Sequence, residues 1–211
     1  ILGEPASEKI KNRTGYLPEE RGVYKKMKVL DLVAYFGTLK GLDSREAKRR
    51  AKELLEDIGL GEWIDRNCQD LSKGMQQKIQ LAGTVLHDPD LIILDEPFSG
   101  LDPINQGLFK EMLAEFKEVG KTVLFSTHIM EQAEKLCDSV VLIDRGQKIL
   151  DGSIDEVKAS SGGEVVLLET ASGEVDLRAL PMVRDIGEFG RHQEVFLEPD
   201  ATPDSLLEAL V

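Results

Sequence analysis

The chain has 211 residues, of which 41% are hydrophobic and 31% charged, and its formal net charge is −13. These proportions are ordinary for a folded globular protein, and the length permits one large hydrophobic core or two modest ones. Because surfaces that bind nucleic acid are usually basic, the excess of 39 acidic over 26 basic side chains argues against a nucleic-acid partner, although an acidic protein can still carry a local basic patch.

The sequence also argues against a disulfide-bonded protein and against a membrane-spanning one. Cys68 and Cys137 are far apart and form no C-x-x-C pair, so reduced thiols in a cytosolic compartment are a simpler interpretation than a disulfide framework or a zinc site. The longest apolar runs, such as Leu91–Leu94, have about four residues, whereas a membrane helix needs ~18–20. The chain begins with Ile1 and shows no signal peptide, so we expect an internal fragment.

The first third of the chain predicts loops and then two helices. Residues 1–15 are polar and contain glycine and proline, and residues 16–22 (YLPEERG) are typical of a turn. Apolar side chains at helical spacing predict a helix over residues 29–39. A second helix is predicted over residues 43–58, because this stretch starts at a capping aspartate and is followed by Gly59.

Helices and strands then alternate along the chain. The apolar patterns predict helices over residues 72–87, 103–119 and 130–136 and strands over residues 91–95 and 121–126. Two more strands, over residues 139–144 and 148–151, are joined by a turn at Arg145 and Gly146, which predicts a hairpin. The alternation predicts an α/β fold with a parallel sheet, in which the apolar runs at 91–94 and 140–143 suit strands covered on both faces.

The last part of the chain has a different character. Ser153 and Glu156 have the spacing of a capping box for a short helix, and residues 160–163 have the composition of a linker. Two candidate strands follow at 164–170 and 195–197. A final helix is predicted after Thr202, with three leucines on one face: Leu206, Leu207 and Leu210.

These patterns predict two domains. We expect a main domain over residues 1–159, with a helical subdomain over about residues 28–88, and a linker at 160–163. Residues 164–211 would form a small α+β accessory domain. Because it is small for an independent core, it either packs on the first domain or is itself truncated.

Four short motifs carry the chemistry of the chain: LSKGMQQ (71–77), LIILDEP (91–97), SGLD (99–102) and STH (126–128). Asp95 and Glu96 close an apolar strand, and the carboxyl ends of parallel strands usually present ligands. Ser72 is placed as a helix N-cap with Gly74 close behind, and a helix N-terminus with free N–H groups is a ready phosphate site. The plain alternatives are an acidic strand end, a capped helix, and a turn that leads into a helix with Pro103 at its first position.

In this order and at this spacing, the four motifs resemble the nucleotide-binding domain of ABC transporters. The resemblance covers about residues 15–158 and implies a partial P-loop NTPase fold with ATP and Mg²⁺ as ligands. It implies that Asp95 holds Mg²⁺, that Glu96 is the general base for the attacking water, and that His128 contacts the γ-phosphate. The other two histidines, His87 and His192, are expected to be ordinary surface or rim residues.

The resemblance also implies contacts across a dimer. Ser72, Lys73 and Gly74 would form the family's signature loop, which acts in trans on the nucleotide of a second subunit. Lys73 and Met75 depart from the usual LSGGQ form, since they replace a glycine and the glutamine. Asp102 belongs to a segment that resembles the D-loop, which passes between the two subunits in the family.

A further segment of the family contacts the membrane subunit. Glu19 lies where the family usually places a glutamine that contacts Mg²⁺, and the substitution makes Glu19 a candidate metal ligand. Tyr24, Met27 and Tyr35 lie in the segment that meets a permease in transporters. Because they are also suited to the interior, we interpret them as core residues.

A phosphate-cradling G-x-x-x-x-G-K-S/T should precede these motifs, and no glycine of the printed sequence fits it. We therefore expect a truncated chain that is inactive alone, from the ATP-hydrolysing subunit of an exporter similar to sodium-extrusion and drug-resistance systems. Expected partners are a membrane permease at the inner face of the cell membrane and a second ATPase subunit, as homodimer or heterodimer. Two alternatives stay open: a soluble ABC-type ATPase that acts on nucleic acid or ribosomes, and a non-hydrolytic regulatory subunit.

Overall fold

A computed structural model describes residues 1–20, 22–160, 165–169, 176–189, 192–198 and 200–210. The chain divides into two compact units, Ile1–Leu136 and Cys137–Val211. The predicted linker at 160–163 falls inside the second unit and mostly outside the described residues, so the domain boundary at residue 159 stays a prediction. No helix in the described parts is long and apolar enough to cross a membrane.

The first unit contains a three-stranded parallel sheet in the order β1-β2-β3. Its strands are β1 (Thr14–Leu17), β2 (Leu91–Leu94) and β3 (Thr122–Phe125). The register aligns Leu17 with Leu94 and Leu94 with Phe125, so the three strands end together at one edge of the sheet. The predicted parallel sheet is confirmed.

Strand β1 and the short helix before it show that the prediction of loop and turn was wrong over residues 8–17. The four residues of β1, TGYL, include a glycine and form no alternating run, so the local pattern carries no strand signal. The strand forms because its backbone pairs with β2, which is remote in sequence. A short helix, α1 (Glu8–Lys11), precedes it and begins where the Ser7 hydroxyl accepts a hydrogen bond from the Ile10 N–H.

The longer helices of the first unit follow the predicted positions: α2 (Val29–Leu39), α3 (Ser44–Asp57), α4 (Lys73–Val85), α5 (Pro103–Glu118) and α6 (Met130–Leu136). Asp43, Ser72 and Asp102 cap α3, α4 and α5, because each side chain accepts a hydrogen bond from a backbone N–H of the first turn. Gly59, with a φ of +75°, lies just beyond the end of α3, as predicted.

One hydrophobic core holds this unit together, between the sheet and helices α2 to α5. Its fully buried side chains include Leu32, Leu55, Ile79, Ile92 and Phe109. Burial of such side chains from several elements is the main favourable term that holds α2, α3 and α4 together and α4 against β1.

The interpretation of Tyr24 and Tyr35 as core residues was wrong. Their side chains are 55% and 39% exposed, and the two rings contact each other edge to face with centroids 6.0 Å apart. Met27 is half-buried and packs against the core. The aromatic pair therefore contributes a surface patch beside α2.

The second unit consists of a hairpin and a small sheet with helices. Strands β4 (Ser139–Asp144) and β5 (Gln147–Ser153) are antiparallel, and the predicted turn between them is confirmed, with positive φ at Arg145 and Gly146. Helix α7 (Ile154–Ser160) follows. Its capping box is confirmed, since the Glu156 N–H donates to the Ser153 hydroxyl at 3.2 Å and the Ser153 N–H donates to the Glu156 carboxylate at 2.9 Å.

The small sheet has the order β6-β8-β7 and is antiparallel. Its strands are β6 (Val165–Leu168), β7 (Val183–Phe189) and β8 (His192–Leu197), and α8 (Pro203–Leu210) follows them. Strands β6 and β8 and helix α8 match the predictions, whereas β7 was not predicted. Leu177, Val195, Leu197 and Leu206 form the core of this part, which confirms α+β character.

Two burial predictions in this unit were wrong. The apolar run at 140–143 is not covered on both faces, because Val141 and Ile143 are 60% and 66% exposed. Leu207 is 63% exposed, and only Leu206 of the three leucines is fully buried. Both errors arise because an apolar run indicates a strand or a helix without indicating how many of its faces are covered.

Candidate functional site

The ends of three parallel strands present most of the candidate residues at one edge of the sheet. Asp95 and Glu96 follow β2, and the STH motif (126–128) follows β3. Backbone hydrogen bonds hold these exits together: the Asp95 N–H donates to the Leu17 carbonyl at 2.9 Å, and the Ser126 N–H donates to the Leu94 carbonyl at 3.0 Å. Polar side chains from separate stretches of sequence thus meet where a parallel sheet usually binds its ligand.

Four side chains form a connected group, which we name the strand-end cluster: Asp95, Glu96, Ser126 and His128. The Ser126 hydroxyl donates to Asp95 Oδ1 at 2.6 Å and accepts from the Glu96 backbone N–H at 2.9 Å. His128 Nδ1 lies 2.8 Å from Glu96 Oε1. The structure therefore brings together the three strand-end residues predicted from the motifs and adds a fourth, Ser126.

The cluster is open to solvent on its histidine side. The His128 side chain is 77% exposed, whereas the Glu96 side chain is 21% exposed. Because an ionised carboxylate only accepts hydrogen bonds, His128 Nδ1 is the donor in a contact with the ionised form of Glu96. Asp95 Oδ2 has no hydrogen-bond partner within the described part of the chain. A half-buried carboxylate beside an accessible imidazole can exchange protons with a molecule bound at this edge.

Glu96 has a left-handed backbone conformation, with a φ of +44°. Such a φ is uncommon for a residue with a side chain and indicates that surrounding contacts hold the backbone in place. Two hydrogen bonds hold it: the Glu96 N–H donates to the Ser126 hydroxyl at 2.9 Å, and the Ser99 N–H donates to the Glu96 carbonyl at 3.0 Å. The turn after β2 is therefore stabilised by a residue that follows β3.

The loop that carries His128 is held by its own hydrogen bonds. The Thr127 hydroxyl donates to the Gln132 side-chain oxygen at 3.1 Å and accepts from the Ile129 N–H at 3.1 Å. Gln132 is buried. These bonds connect the end of β3 to the first turn of α6 and fix the backbone on both sides of His128.

The signature-like loop packs against the start of α5. A Cβ at Gly74 would lie 2.7 Å from Asn105 Nδ2 and 3.8 Å from Asp102 Oδ2, so only glycine fits without displacing Asn105. The Asp102 carboxylate accepts from the Ile104 and Asn105 N–H groups at 3.1 and 3.0 Å. Hydrogen bonds from the Asn105 backbone and side chain lower the pKa of Asp102. Asp102 is therefore occupied as a helix cap.

Helix α4 is also connected to the loop after β2. The buried Gln77 side chain donates to the Pro97 carbonyl at 3.0 Å. Ser72 and Lys73 are exposed at the N-terminus of α4, where the Ser72 hydroxyl accepts from the Met75 N–H at 3.3 Å. Within the residues that the structure describes, no hydrogen bond or ion pair joins Ser72 or Lys73 to the strand-end cluster. The predicted residues thus fall in two places, the sheet edge and the start of α4.

A metal ion fits only part of the predicted ligand set. Glu19 is exposed, two residues beyond β1 and on the same sheet edge as Asp95. In the described ranges, no three His, Cys, Asp or Glu side chains are grouped as a metal site. Mg²⁺ usually takes one or two carboxylates and completes its shell with phosphates and water, so the free Oδ2 of Asp95 fits that chemistry.

Three residues of the site could not be found by the sequence argument: Ser126, Asn105 and Gln77. Ser126 stands inside the STH motif, yet a serine after a strand has many ordinary uses. Asn105 and Gln77 lie on helices, and their contacts depend on how α4 and α5 pack. The one sequence signal that could have drawn attention to these residues is that each lies within a motif or close to one.

Comparison with known proteins agrees with the motifs. The family model described as ABC transporter matches residues 2–99. The uncharacterised ABC transporter ATP-binding protein YhaQ of Bacillus subtilis is 44% identical over 178 residues, which make up 84% of this chain and 59% of YhaQ. An uncharacterised ABC transporter ATP-binding protein of Alkalihalophilus pseudofirmus is 39% identical over 182 residues, 86% of this chain and 68% of that protein.

The fold comparison gives the same family. A solved structure of the ATP binding subunit of an ABC transporter matches with a TM-score of 0.66 and 32% identity, covering 73% of this chain and 64% of that one. The chain therefore belongs to the family of ABC transporter ATP-binding proteins. It spans about three fifths of the length of YhaQ.

Proposed function

We propose that the intact protein is the ATP-hydrolysing subunit that powers an ABC-type membrane exporter. The observation that carries this proposal is the strand-end cluster, in which Glu96 lies 2.8 Å from His128 and beside Asp95 at the ligand-binding edge of a parallel sheet. Members of the family bind ATP, typically with Mg²⁺, and work with membrane permease components. The export direction rests on the combination of YLPEERG, LSKGM and a trailing α+β part.

Each residue of the cluster has a role in this proposal. Glu96 accepts the proton of a water whose oxygen attacks the γ-phosphorus, while the bond to the β–γ bridging oxygen breaks and ADP leaves. His128, hydrogen-bonded to Glu96 through Nδ1, orients that carboxylate and contacts the γ-phosphate. Asp95 would hold Mg²⁺ through Oδ2, with Glu19 as a second candidate, and the ion would neutralise charge on the phosphate oxygens.

The start of α4 has the second role. Ser72, Lys73 and Gly74 would bind the nucleotide of a partner ATPase subunit, with Asp102 in the adjoining segment. This is supported by the exposed N-terminus of a 13-residue helix, whose free N–H groups favour phosphate. The positive charge of Lys73 adds to that preference. A subunit with its two groups separated in this way requires a second subunit, identical or not, to complete each site.

The alternatives find less support among the same observations. The net charge of −13 disfavours an ATPase that acts on nucleic acid or ribosomes. A non-hydrolytic regulator would have no use for a carboxylate that is half-buried, hydrogen-bonded to histidine and held by a left-handed backbone.

Purification of the tagged intact protein from its own host tests the transport function. The proposal predicts that a polytopic membrane protein co-purifies in stoichiometric amount, and that ATP turnover of the complex depends on its substrate. The double variant Tyr24→Ala with Tyr35→Ala probes the contact with the membrane protein, because it removes the exposed aromatic pair. It should reduce the amount of membrane protein that co-purifies. Tight RNA binding at physiological salt, without a membrane partner, would contradict the proposal.

A further inference from the structure

Asp95 and Glu96 are the two carboxylate residues that follow β2. Among the described residues, Ser126 is the only one whose side chain hydrogen-bonds to both of them. Its hydroxyl donates to Asp95 Oδ1 at 2.6 Å and accepts from the Glu96 N–H at 2.9 Å. A hydroxyl group can donate and accept at the same time, which neither an alanine nor a valine at this position could do. The two bonds therefore depend on the chemical identity of Ser126.

The Glu96 N–H needs this partner because of the path of the backbone. The Asp95 N–H is still bonded to β1 through the Leu17 carbonyl at 2.9 Å. One residue later the chain turns out of the sheet, with a φ of +44° at Glu96, and leaves the ladder. Ser126 supplies the acceptor that the ladder no longer provides, so it stabilises an otherwise unfavourable conformation.

The position of Ser126 is itself well determined. Its own N–H donates to the Leu94 carbonyl at 3.0 Å, which continues the pairing between β3 and β2 by one residue. The hydroxyl therefore extends from a rigid strand end rather than from a mobile loop. Groups on such elements hold reacting side chains more accurately than groups on loops do.

The two bonds have separate consequences for the cluster. The bond to Oδ1 leaves Asp95 Oδ2 as the available oxygen and sets the direction in which it points. The bond to the Glu96 N–H sets the turn from which the Glu96 carboxylate reaches His128 Nδ1 at 2.8 Å. Loss of the hydroxyl would release both carboxylates together.

We propose that Ser126 is a positioning residue, which holds Asp95 and Glu96 in register for ATP hydrolysis without touching the nucleotide. The inference rests on the proposed function for its catalytic consequence, and on the hydrogen bonds alone for its structural one. The inference predicts that removal of the hydroxyl at residue 126 lowers the rate of ATP turnover and changes the affinity for the nucleotide little.

The structural consequence is tested on the 211-residue chain by NMR of the His128 ring. We expect Ser126→Ala to move the His128 ring resonances in the direction that Glu96→Gln moves them, because both changes remove the ordered carboxylate from Nδ1. Ser126→Thr keeps the hydroxyl and should leave them near the wild-type position. Thr122→Ala is the matched control, since Thr122 is exposed at the opposite end of β3. Coincident His128 signals in Ser126→Ala and wild type would overturn the inference.

The catalytic consequence is tested on the intact protein with its partners. Ser126→Ala should lower kcat by about 10- to 100-fold, as loss of a supporting hydrogen bond to a metal-site ligand does, with KM for ATP changed by no more than about twofold. Ser126→Thr should restore most of kcat. Added to Glu96→Gln, Ser126→Ala should cause a smaller loss than it causes alone, since the part of its effect that passes through Glu96 is already gone.

The outcomes separate the two proposals. A kcat of Ser126→Ala equal to wild type, in a protein whose turnover Glu96→Gln removes, would refute the positioning role and leave the proposed function intact. Wild-type turnover that Glu96→Gln does not affect would refute the proposed function, while the His128 spectra still decide whether Ser126 positions Glu96.

Discussion

His87 lies outside the strand-end cluster, and burial is the main cause of a lowered pKa for its side chain. Both of its ring nitrogens are buried, and neither makes a hydrogen bond of normal geometry within the described part of the chain. Burial lowers the pKa of His87, and the nearby charge of Lys40, with a smaller contribution from Lys121, lowers it further, against opposing effects of the Thr14 backbone and Asp88. His87 as a whole is half-buried, as a rim residue would be, but its two buried ring nitrogens distinguish it from an ordinary surface histidine.

This burial predicts a loss of stability on mild acidification. Because the pKa of His87 is lower in the folded than in the unfolded chain, the unfolded chain binds the proton first, and the free energy of unfolding falls as the pH drops below about 6.5. Urea unfolding at pH 7.5 and 5.5 measures the effect in the wild type and in His87→Gln, which does not titrate. A wild type whose stability falls no more than that of the variant would show that His87 is not the cause.

Strand β1 packs closely against helix α4, and the contact is made at Gly15. A Cβ at Gly15 would lie 2.6 Å from the Thr84 carbonyl oxygen of α4 and 3.2 Å from Pro89 Cγ. Because the nearest atom belongs to the backbone, no side-chain rotation can relieve the contact. Glycine at this position lets the strand, which the local pattern did not predict, lie directly against a helix.

Gly15→Ala should therefore destabilise the chain by about 1–3 kcal/mol, the usual cost of overpacking. Gly107→Ala is a matched control, because a Cβ at Gly107 meets nothing within 4 Å in α5. That change should stabilise by up to about 1 kcal/mol through helix propensity. Urea unfolding of both variants checks the opposite signs, and a Gly15→Ala protein as stable as wild type would show that β1 does not approach α4 this closely.

Elements with a local signal were predictable from the sequence, and elements formed by remote pairing were not. Helix α3 has a cap, an apolar stripe and a stop in one continuous segment, α4 has its cap at Ser72, and the β4–β5 hairpin has its turn residues between its strands. Strands β1 and β7 lack such signals, because their partners supply the hydrogen bonds. A local sequence pattern therefore predicts elements with a local signal and does not predict strands that form by pairing with remote segments.

The candidate site shows the same division. The motifs placed Asp95 and His128 at the ends of two strands, and parallel pairing of those strands was enough to predict that they would be neighbours. The hydrogen bonds of the Ser126 hydroxyl, and the lack of room for a side chain at Gly74, would change if the neighbouring segments moved by a few tenths of an ångström. Those distances are set by packing between segments and cannot be obtained from residue types alone.

At the scale of the whole molecule, the chain combines an ATPase-like unit with a second unit of hairpin and small sheet. The first unit holds all the residues proposed for catalysis, and the chain spans about three fifths of the relative YhaQ. The printed sequence contains no G-x-x-x-x-G-K-S/T loop to bind phosphates. We propose that the strand-end cluster acts together with such a loop and with a second subunit.

ATP hydrolysis tests the central claim most directly, namely that the strand-end cluster is the catalytic part of an ATPase. The account predicts turnover by the intact protein, retention of ATP binding but loss of turnover by at least about 10²-fold in Glu96→Gln, and unchanged turnover in Glu118→Gln, which alters an exposed carboxylate at the end of α5. It predicts no turnover by the 211-residue chain alone. Full activity of intact Glu96→Gln would contradict the central claim. Hydrolysis by the isolated chain would contradict only the expectation that this chain is inactive alone.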